Sequence, residues 1–394
     1  MLPPEAELPL RRRRSKATPS GEEGATGARE FASRLVVWHG QHGRHDLPWQ
    51  VDRDPYRVWL SEVMLQQTQV ATVIPYFHRF CRRLPDVAAL AAAPPDEVLA
   101  LWAGLGYYAR ARNLQACAKQ VVEQYGGRLP LDPEVLARLP GIGRSTAAAI
   151  AALCAGVRAP ILDGNVKRVL IRRFAIEGDP GSAAVERLLW QRAGSLLPGQ
   201  AQMPAYTQAI MDLGAVVCTR RAPRCGQCPV AADCIARETG RIDQLPVPRR
   251  RGERPHRRAW ALLVMHEDRV LLQRRAPAGI WGGLHSLPQF DSAAAMRRAA
   301  ADFDPVPRLA QLPPRKHAFT HFTLTLLPRR LDITSPPQRL RENDLLWLPL
   351  AQIDAAPLPA PILALLREIA ATAKIQCSPS GETPRATRKR DTML

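Results

Sequence analysis

The chain has 394 residues, 46% of them hydrophobic, which is enough to bury at least two cores; a single small module is excluded and two domains are expected. Its 55 Lys and Arg against 36 Asp and Glu leave a formal charge of +19, so a polyanion, nucleic acid above all, is the default partner. No apolar run approaches the roughly 20 residues that span a bilayer, and the segment from Met1 to Gly27 lacks the apolar stretch of a secretory signal, so a soluble cytoplasmic protein without a membrane partner is expected.

Residues 1–27 carry Arg11 to Arg14 among Pro, Gly, Ser and Glu, and read as a disordered basic arm. Residues 28–240 read as one helical domain. Apolar side chains recur there at three and four, as at Tyr56, Trp59, Leu60, Val63 and Met64, and prolines at 75, 85, 94, 95, 130, 133 and 140 cut the region into short helices. Composition then shifts to Pro and Arg over 241–257, which reads as an extended interdomain linker. Residues 258–373 read as an α+β domain: strands over Trp260 to Met265 and Arg269 to Gln273 joined by a turn at His266 to Asp268, a long strand over Phe319 to Leu327, and helices over 292–302 and 360–372. Residues 374–394 read as a disordered polar tail.

Four constellations carry chemistry. Over 133–155 a short helix, the turn Pro140-Gly-Ile-Gly143 and an alanine-rich helix form a helix-hairpin-helix, in which Gly141 and Gly143 let the backbone approach a phosphate at the free N–H groups of the second helix. Asp163, just before a helical run, is placed as an N-cap, and a capping carboxylate that stays ionised could also hold a cationic sugar. Glu62, flanked by Trp59, Val63 and Leu65, is either an exposed helical glutamate or a carboxyl in an apolar pocket with a raised pKa; beside an ionised Asp163 the second reading fits N-glycosidic cleavage. Cys218, Cys225, Cys228 and Cys234, spaced C-x6-C-x2-C-x5-C, can hold a zinc ion or an iron–sulfur cluster, with cluster the favoured reading; the remaining cysteines are scattered, which argues against a disulfide framework.

Taken together, Leu47-Pro-Trp-Gln50, Trp59 to Val70, Gly104 to Asn113, Leu139 to Thr146, Ile161 to Arg168, Gln208 to Gly214 and the cysteine run resemble the adenine DNA glycosylases of the endonuclease III superfamily over roughly residues 30–370. The resemblance implies a multidomain protein: a mainly α helix-hairpin-helix glycosylase domain with a 4Fe–4S cluster in the loop 218–234, then an α+β Nudix-like domain. It implies a monomer that acts on double-stranded DNA holding adenine opposite 8-oxoguanine or guanine, with Glu62 as general acid and Asp163 stabilising the sugar cation. Trp49, Gln50 and Gln208 would line the adenine pocket, and Gln67 and Tyr107 would enter the duplex. Leu65, Arg110, Gly141, Gly143, Ser145, Asn165 and Lys167 complete the DNA-binding set, Lys167 as a phosphate contact, and Phe319, Thr320 and His321 would read 8-oxoguanine.

Three departures sharpen the expectation. Where related lyases carry a Schiff-base lysine after the hairpin Gly-Arg, this chain has Ser145, so a monofunctional glycosylase is expected over a bifunctional glycosylase/lyase. After Phe290 the sequence runs Asp-Ser-Ala-Ala-Ala-Met-Arg-Arg without the glutamates of a working Nudix hydrolase, which disfavours pyrophosphate hydrolysis. The recognition loop reads Phe319-Thr320-His321 where the family commonly has Phe-Ser-His. A catalytically silent DNA-binding relative would have lost Glu62 or Asp163, and both are present. The Ala/Arg-rich composition suggests a bacterial source, and hence a place on the nucleoid through DNA, while Arg11 to Lys16 also reads as an organelle or nuclear signal.

Overall fold

The computed structural model describes residues 21–248, 252–336 and 345–376. Fourteen α-helices and eight strands are found among them: α1 Gly21–His42, α2 Pro55–Leu65, α3 Val70–Arg83, α4 Val87–Ala92, α5 Pro95–Trp102, α6 Ala109–Tyr125, α7 Pro133–Leu136, α8 Arg144–Ala155, α9 Gly164–Phe174, α10 Ala183–Ser195, α11 Met203–Asp212, α12 Ile235–Glu238, β1 His256–His266, β2 Arg269–Arg274, β3 His285–Ser286, β4 Gln289–Phe290, α13 Ala293–Ala300, β5 Ala310–Gln311, β6 Arg315–Ala318, β7 Thr323–Asp332, β8 Leu345–Pro349 and α14 Ala360–Gln376. They gather into two compact units, one from the described residues within Met1–Glu62 and Leu129–Arg250, the other from those within Val63–Arg128 and Arg251–Leu394. The sequence had suggested a boundary near residue 240. By contacts, α3 to α6 group with the strand-containing part of the chain.

In the first unit the core is helical. Phe31, Leu35 and Trp38 of α1 meet Ala148, Ala149 and Ala152 of α8, Val166, Val169 and Leu170 of α9, and Tyr206, Ala209 and Ile210 of α11. The alanines of α8 let these axes approach closely, and the helix ends where Gly156 takes φ 66°, a left-handed cap that a side chain would disfavour. In α7 the first turn is fixed twice over: Pro133 opens it and Asp132 accepts from Glu134 N and Val135 N. Gly141 then sits at φ 77° and Ile142 is buried, so the turn into α8 is anchored by its apolar residue.

The second unit holds α3 to α6, where Phe77, Phe80, Leu90, Val98, Leu99, Trp102 and Leu114 are buried and Phe80 meets Trp102 edge-on at 6.2 Å. It also holds a mixed sheet. There β1 and β7 run parallel in register from His256 with Thr323 to Met265 with Asp332. β2 returns antiparallel from β1 through a tight turn at Glu267, whose φ is 51°. The strand order β3-β2-β1-β7-β5 has β4 on β1, β6 on β7 and β8 on β2. Met296 and Ala300 of α13 cover Leu262, Val264, Leu271 and Leu331 of the sheet.

Four boundaries differ from the sequence reading. Residues 21–27, placed in the basic arm, are the first turns of α1; Arg11 to Arg14 lie outside the described residues. Within the supposed linker, Leu245 is buried in the first unit's core and its carbonyl accepts from Arg172 Nε at 2.9 Å, so one apolar residue among prolines anchors the segment. The strand expected from Phe319 starts at Thr323, because Phe319 N bonds back to Phe322 O and closes a hairpin turn between β6 and β7. Finally α14 runs to Gln376, past the start assigned to the tail; residues 377–394 lie outside the described residues.

Candidate active site and cluster loop

In the first unit a cavity of about 290 Å³ is lined by His39, His45, Trp49, Gln50, Arg53, Val58, Glu62, Leu153, Pro204, Ala205 and Gln208. Trp49 is buried between polar walls, and Gln50 Oε1 is buried without a hydrogen-bond partner. Glu62, on α2, is the acid of this cavity. Removal from water, and then the negative charge of Asp163, push its carboxyl up from 4.5 to about 7. Both influences act in the same direction, and no hydrogen bond lowers the carboxyl against them. The exposed-helix reading of Glu62 is thereby set aside.

Asp163 caps α9, its Oδ1 accepting from Val166 N at 2.7 Å, while Asn165 Nδ2 stands 3.5 Å from Oδ2. Burial lifts its carboxyl, and the capping bonds and Arg168 oppose the rise without cancelling it; the expectation had counted only the cap. Ser145 Oγ accepts from Leu162 N at 2.9 Å, tying the start of α8 to the segment that presents Asp163. Asn165 also accepts from Arg168 Nη2 at 2.8 Å. A Cβ at Gly214 would fall 2.6 Å from the Asn165 side chain, so that glycine lets the end of α11 meet the start of α9. Lys167, expected on a phosphate, has its Nζ 2.8 Å from Glu186 Oε1; sequence spacing could not show the carboxylate on α10 opposite it.

The same helix grips the cysteine run. Arg168 Nε donates to Cys218 O at 2.7 Å, and the fully buried Arg172 donates to Thr219 O at 2.7 Å, to Arg220 O at 3.3 Å and toward Cys218 Sγ at 3.4 Å. Cys218, Cys228 and Cys234 pack against the helical core, and none of the seven described cysteines is in a disulfide. Burial, and then the neighbouring Cys218, Cys234 and Cys225, push the Cys228 thiol up to about 11, which places the four sulfurs around one locus. Among the described residues no group of three or more His, Cys, Asp or Glu could hold a single metal ion. Four cysteine sulfurs gathered at one locus are the donor set that an iron–sulfur cluster takes.

In the second unit a groove of about 400 Å³ is lined by residues of 104–112, 279–282, 317–320 and Ala360. Gln67 and Tyr107 head two loops here with φ 60° and 48°, left-handed values that side chains adopt only at a cost of about 1–3 kcal/mol. Arg110 holds both loops. Its Nη1 donates to Val63 O, Met64 O and Gln66 O at 3.0, 2.9 and 2.6 Å, and its Nη2 to Thr68 Oγ1, Leu105 O and Gly106 O at 3.3, 3.1 and 3.2 Å. Arg110 was expected to touch DNA; its guanidinium fork is occupied by backbone carbonyls instead. Leu65, half-buried, closes α2 at the first of these loops. Tyr107 Oη meets Thr320 Oγ1 at 3.0 Å, and Phe319 stacks on Phe322 at 4.7 Å and meets His317 edge-on at 4.6 Å. His321 is exposed.

The family model for the HhH-GPD superfamily base excision DNA repair protein matches residues 60–194, the iron-sulfur binding domain of endonuclease III matches 218–234, and a NUDIX domain matches 259–368. The adenine DNA glycosylase of Buchnera aphidicola subsp. Baizongia pistaciae is 33% identical over 344 residues, 86% of this chain and 96% of its own. This chain belongs to the adenine DNA glycosylase family. The human adenine DNA glycosylase is 47% identical over 224 residues, 55% of this chain and 41% of its own. A solved thermostable thymine-DNA glycosylase aligns over 55% of this chain and 99% of its own, at 29% identity and TM-score 0.49. As a member of the adenine DNA glycosylase family the chain is a base-excision repair glycosylase, a hydrolase of N-glycosyl bonds whose partner is DNA, with a 4Fe–4S cluster on its four clustered cysteines. Among the described residues no helix is long and apolar enough to cross a membrane.

Sequence reasoning missed Asp212, His39, Arg44, Arg168 and Arg172. Asp212 is fully buried in the polar layer behind Gln208, and Arg172 is buried behind the cysteine loop. An aspartate in Ile-Met-Asp-Leu-Gly carried a signal of its own, a charge inside an apolar helical stripe.

Proposed function

We propose that the enzyme removes adenine paired with 8-oxoguanine or guanine in double-stranded DNA, as a monofunctional glycosylase working as a monomer in the bacterial cytoplasm. The observation that carries the reading is the Glu62 carboxyl, held at about 7 in a cavity near the size of a small-molecule site. Extruded adenine enters that cavity against Trp49, and protonated Glu62 donates to a ring nitrogen of the base. The C1′–N9 bond breaks with its electron pair leaving on adenine, and the oxocarbenium-like sugar is held by the Asp163 carboxylate. Water then adds to C1′ and its proton returns to Glu62.

Gln67 and Tyr107, displayed on strained loops that Arg110 fastens, supply the side chains that occupy the vacated stack. The 319–321 turn reads the opposite base through Thr320, with Phe319 as an apolar support. The free N–H groups at the start of α8, next to Gly141 and Gly143, receive a phosphate. The cluster, when bound, ties its loop into one rigid piece beside α9. Ser145 leaves no imine-forming amine at its position, and its hydroxyl is already bonded.

The test is single-turnover adenine release from a duplex with one adenine opposite 8-oxoguanine, with strand nicking scored before and after alkali. Release with alkali-dependent nicking supports a monofunctional glycosylase. Nicking without alkali would replace it with a lyase, and no release by cluster-loaded protein would remove the catalytic reading.

A further inference from the structure

The Gln208 amide lines the base cavity, yet its orientation is set from behind the wall. Its Nε2 donates at 2.9 Å to Oδ1 of Asp212, one turn onward along α11 and fully buried. Arg44 fixes that carboxylate from its backbone N to Oδ2 at 2.8 Å and from Nε and Nη2 to Oδ1 at 2.9 and 2.5 Å. His39 Nε2 stands 3.5 Å from Oδ2. Burial alone would raise the carboxyl, but these donors outweigh it and hold Asp212 below the usual range, so it is ionised near neutral pH.

An ionised carboxylate only accepts hydrogen bonds. Gln208 must therefore turn its NH₂ toward Asp212, since the reversed amide would bring two acceptors together in a buried site. What the amide keeps for the cavity is its carbonyl Oε1. Gln50 contributes a second one: its Oε1, in the same cavity, is buried and has no partner. The cavity thus holds amide acceptors waiting for a donor.

We propose that Asp212, a positioning residue outside the cavity, determines which base is accepted: by fixing the Gln208 carbonyl inward it selects a base with an exocyclic amino group and rejects one with an oxo group at the same place. The inference deepens the adenine reading and rests on it. An amino group donates to both waiting carbonyls, whereas the oxo group of hypoxanthine or guanine would set lone pairs against lone pairs. Rejection through a buried unpaired acceptor is far stronger than rejection by shape alone.

The experiment compares single-turnover release of adenine and of hypoxanthine, each placed opposite 8-oxoguanine, by wild type and Asp212→Asn. Asparagine keeps the size; with its carbonyl turned to Arg44 N, its Nδ2 takes the Oδ1 position, gives up the bonds from Arg44 Nε and Nη2 and can donate to a reversed Gln208, so the inward carbonyl is no longer enforced. The adenine-to-hypoxanthine rate ratio is expected to fall by about tenfold or more. Equal losses on both bases, with the ratio unchanged, would make Asp212 a merely structural residue and overturn the proposal. If Asp212→Asn does not fold, Gln208→Leu leaves Asp212 with Arg44 and must lower the same ratio; an unchanged ratio again overturns the proposal. Wild type that releases neither base would overturn the adenine reading along with it, which separates the two failures.

Discussion

Around Glu62 the walls are desolvated and charged, with a carboxyl near 7, a second carboxylate acting on it and the Gln50 amide carbonyl without a donor. Around Thr320 they are aromatic, hydroxylic and exposed: Phe319 on Phe322, Tyr107 Oη on Thr320 Oγ1, and a His317 whose imidazole burial holds below its usual range, hence neutral. The first region stores electrostatic energy in a buried site, as bond cleavage requires. The second stores backbone strain in exposed loops, which suits the insertion into a stacked duplex proposed for Gln67 and Tyr107. On the proposed function, substitution of Glu62 acts on rate, substitution at Gln208 on which base is excised, and substitution at the turn on which opposite base is preferred.

The largest effect is expected for Glu62→Gln, which keeps the shape and removes the proton; single-turnover release should fall by roughly 10²- to 10⁴-fold with duplex affinity retained. The same variant sharpens the comparison through stability. Glu62 has a folded pKa of about 7 against an ordinary 4.5, so both states are protonated below about 4.5, and stability falls as pH rises through the window to 7. At pH above 7 the glutamine variant should be the more stable protein by up to about 3 kcal/mol, read as a higher midpoint in urea. A wild type that matched it there would show that the carboxyl is not desolvated.

Asp163→Asn comes next, with a loss of about 10²- to 10³-fold in release, because it removes the anion while keeping a cap for Val166 N. Arg172→Met leaves the carbonyls of Thr219 and Leu245 without their donor and should cost about 1–3 kcal/mol in thermal or urea unfolding, with loss of bound iron measured by metal analysis. The smallest effect belongs to the turn. Thr320→Val deletes one exposed hydroxyl contact of about 0.5–1.5 kcal/mol, so preference for 8-oxoguanine over guanine should drop by roughly two- to tenfold while release opposite guanine stays unchanged. Equal loss opposite both bases would mean that the turn supports the fold and reads nothing.

The parts legible in the chain were those whose chemistry is local. Asp163 could be read as a cap because capping is a matter of three residues, and α7 and α8 because Pro133, Gly141 and Gly156 punctuate them. The cysteine spacing exposed the cluster for the same reason. Illegible were the partners that folding brings from afar: Arg44 and Asp212 lie 168 residues apart, and Arg110 meets carbonyls more than 40 residues upstream. Residue type identified Arg110 and Lys167 as cations suited to phosphate, but direction decides what a cation binds, and both point to protein acceptors. The late start of β7 has a similar origin. Alternation through Phe319 to Phe322 looked like a strand, while the Phe319 to Phe322 backbone bond turns it into a hairpin end.

The most direct test of the account is the pH dependence of single-turnover adenine release opposite 8-oxoguanine, run from about pH 5.5 to about pH 9 in wild type and Glu62→Gln. The account predicts a wild-type rate that is flat below about 7 and falls tenfold per pH unit above it, with the break absent from the residual rate of the variant. A wild-type rate that stays level through pH 8, or a variant that keeps the same break, would contradict Glu62 as the proton donor.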